Sequence, residues 1–78
     1  MNDDLKRELG AQPIAEIMAR LHLTAHDLVE HSTEQLTHKM VARAVKGRRL
    51  TVHAQSKVLR ALNNAGGQNY SRKELFNY

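Results

Sequence analysis

Five cations fall within eleven residues of this chain: Lys39, Arg43, Lys46, Arg48 and Arg49. Lys39, Arg43 and Lys46 are spaced by four and then three, the spacing that stacks side chains on one face of a helix. At about 100° per residue, they lie roughly 140–200° round from Val41. Ala44 and Val45 flank Val41 on the opposite side. Such a helix has a small apolar back and a cationic front. The DNA major groove, about 12 Å wide, admits one helix. Arginine and lysine can donate to guanine O6 and N7, and further cations neutralise phosphates. Ala42 lies between the cations, where it can touch a thymine methyl. His38, in the first turn, sits at the edge of the same face. No Asp or Glu occurs between Glu34 and Glu74. The cations therefore have no acid on their own helix, whereas solvated helices ordinarily mix signs.

The whole chain extends this asymmetry. Net charge is +4 over 78 residues. Residues 1–34 hold three cations against seven anions, net −4, and residues 35–78 hold nine against one, net +8. A one-sign field over half a small domain points to a polyanionic partner, nucleic acid before an acidic membrane or protein. The length suits one domain with a small core. The absence of cysteine excludes disulfides, thiolate catalysis and cysteine metal sites. No apolar run reaches the ~20 residues of a membrane span, so no membrane partner is expected. The acidic start, Met1-Asn2-Asp3-Asp4, is neither a secretory signal nor a transit peptide. The expected location is cytoplasmic.

The elements that must position the cations read as all-α. There is one proline, and little alternation of β-branched residues. Leu5 and Leu9 are four apart, and Asn2 or Asp3 could cap a short helix there. Pro13 suits a first helical turn, and Ile14, Ile17, Met18 and Leu21 form one apolar stripe ending near 20–22. Thr24 and Asp27 have the spacing of a capping box, with Leu23 and Leu28 placed as a hydrophobic staple, predicting a helix over 25–31. Residues 32–35 are turn-like. Thr37 caps the cationic helix and Gly47 stops it. Thr51 caps a fourth helix with Val52, Ala54, Val58, Leu59 and Leu62 inward. Residues 63–69 read as a loop. Ser71 and Glu74 open a last turn bearing Leu75 and Phe76. The expectation is a compact bundle of four to five short helices containing a helix-turn-helix: residues 1–12 an arm or short helix, residues 13–78 the domain.

In this order the residues resemble the lambda-repressor-like, or Xre/Cro-type, helix-turn-helix domain. The likeness covers roughly Ile14 to Phe76. Residues 23–30, LTAHDLVE, resemble the family's second helix. Residues 41–49, VARAVKGRR, resemble the end of its recognition helix. Residues 57–62, KVLRAL, and 71–76, SRKELF, resemble later segments. The turn at Ser32–Leu36 is about two residues longer than in that family. The resemblance implies sequence-specific binding of double-stranded DNA by a small transcriptional regulator. Base edges would meet His38, Lys39, Ala42 and Arg43. Phosphates would meet Lys46, Arg48, Arg49 and the start of the second helix at Ala25 and His26.

Other chemistry finds less support. His22 and His26 are four apart, with Glu30 and His31 near, but a helix boundary separates them and no H-E-x-x-H occurs, so no metal site is expected. No nucleophile–base arrangement and no phosphate-cradling glycine loop is present, so neither an enzyme, a cofactor nor a small-molecule ligand is expected. The rival class is a protein–protein adaptor on the same scaffold. It would use the acidic leading segment with Leu5 and Leu9, or residues 75–78 as an exposed tail, to dock a partner or form a homodimer.

Overall fold

A computed structural model describes residue 10 and residues 12–78 of the chain. Five helices run in order among them: α1 Pro13–Arg20, α2 Ala25–His31, α3 His38–Lys46, α4 Val52–Gly66 and α5 Arg72–Leu75. The protein is all-α, as its sequence pattern predicts. The helix that residues 2–9 could form, and the leading segment of the adaptor reading, lie outside the described residues.

Local chemistry accounts for most boundaries. Pro13 opens α1, where its missing N–H is not needed. Thr24, Thr37 and Thr51 each accept a backbone N–H three residues ahead, from Asp27, Met40 and Ala54. At Thr24 the box closes: Asp27 Oδ2 accepts the Thr24 backbone N–H at 2.8 Å. That N–H first, and then the Thr24 hydroxyl, hold the Asp27 carboxyl below its ordinary value. Helices α1 and α3 end in the same way. The N–H groups of Leu23 and Arg48 return to the carbonyls of Met18 and Arg43, over a left-handed residue. At α3 this residue is Gly47, φ 88°, and a Cβ there would overlap the backbone carbonyl of Gly10. At α1 it is His22, φ 56°, the one described non-glycine residue with positive φ.

The core is one cluster drawn from all five helices and their connections. Ile14, Leu28, Val41, Val58, Leu62 and Leu75 are fully buried in it. Helix α4 is the spine, and α2, α3 and α5 all pack against it.

Three expectations need correction. Helix α4 continues through residues 63–66, read in the sequence as loop. Asn63 fits because its amide is occupied outside the helix: Oδ1 accepts the Tyr70 N–H at 2.9 Å and Nδ2 donates to the Tyr70 carbonyl at 3.1 Å. Gly66 fits because the side chains of Leu21 and Leu23 lie close to where a Cβ would project. Val52 is not inward but 57% exposed; the buried residue of that first turn is Gln55, at 5%, whose amide donates to the Leu50 carbonyl. Lastly, the tail is not an exposed docking strip. Leu75 is 0% and Phe76 3% exposed, because α5 folds these side chains back into the core.

Candidate nucleic-acid interface

Helix α3 presents the two faces its spacing predicts. Val41 and Ala44 are buried, Met40 and Val45 half-buried, and His38, Lys39, Ala42, Arg43 and Lys46 exposed. Lys39, Ala42, Arg43, Lys46 and Arg48 together line a shallow groove of about 200 Å³. Arg48 joins this groove because the turn at Gly47 brings the chain back beside the helix. Among the described residues no carboxylate lies within ion-pair distance of Lys39, Arg43 or Lys46. Three like charges on one short helix repel one another, and an anion laid along the groove relieves that repulsion.

The connection before α3 is braced rather than loose. Ser32 Oγ accepts the Glu34 N–H at 3.1 Å and donates to the Glu34 carbonyl at 3.0 Å. Glu34 then forms a bidentate pair with Arg60 of α4, both contacts 2.6 Å. The guanidinium holds the Glu34 carboxyl below its ordinary value, and Arg60 is raised in return. Lys57 Nζ donates to the Gln35 carbonyl at 3.3 Å, and Leu36 is buried. The connection is thus tied to α4 at two polar points, and Leu36 anchors it in the core.

The start of α2 lies beside the start of α3. The rings of His26 and His38 stack with centroids 5.8 Å apart and planes 17° from parallel. His26 Nε2 also lies 3.1 Å from Glu30 Oε2. Ala25 is half-buried next to this pair. The Thr24 N–H that precedes α2 faces the Asp27 carboxylate, and the Asp27 N–H returns to the Thr24 hydroxyl.

Arg49 goes elsewhere. Its guanidinium carbon stands 5.7 Å from the centroid of the Tyr78 ring. With Leu50, Thr51, Val52, Gln55 and Tyr78 it lines a second, open groove of about 590 Å³. The expected site residues therefore fall into three groups: the cationic groove, the stacked histidines with Ala25, and Arg49 on Tyr78. The supports were not visible in the sequence. Arg60 is 26 residues from Glu34, and Tyr78 is 28 from Leu50. No local spacing relates such residues, and the only signal was that Glu34 is the last acid before a long basic stretch.

No helix of the described residues is long and apolar enough to cross a membrane. No family model, curated protein or solved structure matches this chain.

Proposed function

We propose that the chain binds double-stranded DNA with sequence preference, as a small helix-turn-helix regulator of transcription, with α3 in the major groove. The observation that carries this reading is the groove of Lys39, Arg43, Lys46 and Arg48, whose three helical cations face solvent without a carboxylate among the described residues. Lys39 and Arg43, with His38 and Ala42 beside them, read base edges. Lys46 and Arg48 lie against phosphates, and Ala25 and His26 approach the same strand from α2. The bracing of residues 32–36 supports the reading, because base readout needs a rod held at one angle, and a longer turn alone would leave that angle free.

The test is duplex binding by the purified chain over a range of salt. Each phosphate contact contributes about −0.9 to the slope of log affinity against log salt, so three or more contacts give a steep line. Binding to a pool of random duplexes should also enrich particular sequences. A flat salt dependence, or a selected pool no different from the starting pool, overturns the reading. Few aromatic residues are available to stack unpaired bases, which favours duplex over single-stranded RNA.

A further inference from the structure

We propose that Tyr78 is a positioning residue for this interface: it assigns Arg48 to the cationic groove and withdraws Arg49 onto its own ring. The inference rests on the duplex-binding reading and goes beyond it by separating two adjacent arginines that the sequence places together.

Three contacts carry it. The Tyr78 hydroxyl accepts the Leu50 N–H at 2.9 Å and donates to the Arg48 carbonyl at 3.3 Å. One side chain thus joins both ends of the Arg48–Leu50 segment. The face of the same ring lies under the Arg49 guanidinium, where its negative quadrupole attracts a cation. The ring is itself anchored. It meets Phe76 edge-on, centroids 5.8 Å apart, and Phe76 is buried in the core. Asn77 is held as well, its N–H donating to Gln12 Oε1 at 2.8 Å.

From the other side, Gln55 Nε2 donates to the Leu50 carbonyl at 2.9 Å, and the capping turn ties Arg48 N–H to the Arg43 carbonyl at 3.0 Å. The backbone on either side of Arg49 is therefore fixed. With the backbone fixed, neighbouring side chains on an extended segment leave in opposite directions. Arg48 turns to the groove beside Lys46, and Arg49 turns to Tyr78. Both arginines in the groove would add repulsion to a face already carrying three cations. Neither there would remove the contact that extends the face past the end of α3.

A double-mutant cycle between Tyr78→Phe and Arg48→Ala tests this, read by duplex affinity and salt slope, with thermal unfolding of each variant alongside. Tyr78→Phe keeps the ring and loses the hydroxyl. It is expected to weaken duplex binding about two- to tenfold, the size of one hydrogen bond's net contribution, and to make the salt slope about 0.9 shallower. In the Arg48→Ala background the same change should have no further effect on either readout. Equal losses in both backgrounds mean a merely structural tyrosine and overturn the inference. Arg49→Ala leaves the hydroxyl latch intact and gives an independent reading should Tyr78→Phe fold poorly. It is expected to leave the slope unchanged within about 0.3, and a slope shallower by about 0.9 places Arg49 on a phosphate and overturns the inference. Absence of salt-dependent duplex binding by the unaltered chain overturns both the proposed function and this inference.

Discussion

Helices α3 and α4 carry cations at similar spacing, yet the fold treats them differently. Lys39, Arg43 and Lys46 stand along α3 with no carboxylate among the described residues to meet them. Lys57 and Arg60 stand three apart on α4 and are both engaged, one with the Gln35 carbonyl and the other with both oxygens of Glu34. In the sequence all five count alike toward the +8 of residues 35–78. In the structure the α4 pair holds the connection that leads into α3. A count of charge measures capacity to attract a polyanion. The contacts of α4 with residues 34 and 35 decide which of these cations already have a partner.

The largest expected effect separates the two sets directly. Replacing Lys39, Arg43 and Lys46 together by glutamine should abolish most duplex binding and its base preference and make the salt slope shallower by about 0.9, Lys46 being the phosphate contact among them, while stability changes by less than about 0.5 kcal/mol per residue. Replacing Lys57 and Arg60 by glutamine should do the reverse, lowering the unfolding temperature and leaving the slope within about 0.5 of its starting value. Fluorescence titration over salt, with thermal unfolding, reads both. If the two replacements move the slope equally, the comparison is wrong.

Within the α3 set a finer division is expected. Arg43→Ala should cost about 1–3 kcal/mol on a selected duplex and relax the base preference, whereas Arg48→Ala should weaken selected and random duplexes alike. Equal loss on both duplexes for Arg43→Ala would remove it from base reading.

A pH experiment sharpens the other side. Glu34 titrates lower in the folded chain than its ordinary value, because Arg60 donates to it. Between those two values the unfolded chain binds more protons, so stability rises with pH there. The contribution is complete above the ordinary glutamate range and is lost as pH falls through the lowered value. In Arg60→Gln, the stability lost between about pH 6 and about pH 3 should be smaller than in the unaltered chain. Denaturant unfolding at the two pH values measures it, and an unchanged difference would mean that the pair does not brace the turn. The exposure of the pair keeps this effect modest.

The smallest expected effect is a control. His22 occupies a left-handed turn at φ 56° that suits glycine better. His22→Gly should raise stability by about 0.5–1 kcal/mol and leave the salt slope alone. A changed slope would show that stability and binding cannot be read separately in this chain.

Much of the architecture was legible because it is built from short-range rules. A threonine cap works through a hydroxyl and an N–H three residues apart, so Thr24, Thr37 and Thr51 could be read from their neighbours. The two faces of α3 follow from a fixed rotation per residue. The extra turns of α4 were not legible. Asn63 is an ordinary loop residue until the Tyr70 backbone occupies its amide, and Gly66 is an ordinary helix breaker until two leucines fill the space beside it. Val52 looks inward by sequence but is exposed, because which face of α4 turns inward near its start depends on the carbonyl of Leu50, which Gln55 meets. The closing residues have the local pattern of a free tail, and only the packing of α5 shows that Leu75 and Phe76 are buried.

What residue order determined on its own was the helices, their caps and the outward line of cations on α3, since each depends on neighbours within about one helical turn. Three-dimensional packing alone decided that Lys57 and Arg60 engage Gln35 and Glu34, that Arg48 and Arg49 part company, and that two histidines meet across a turn. Those outcomes join groups distant along the chain, whose meeting depends on how the buried faces of all five helices fit around one core.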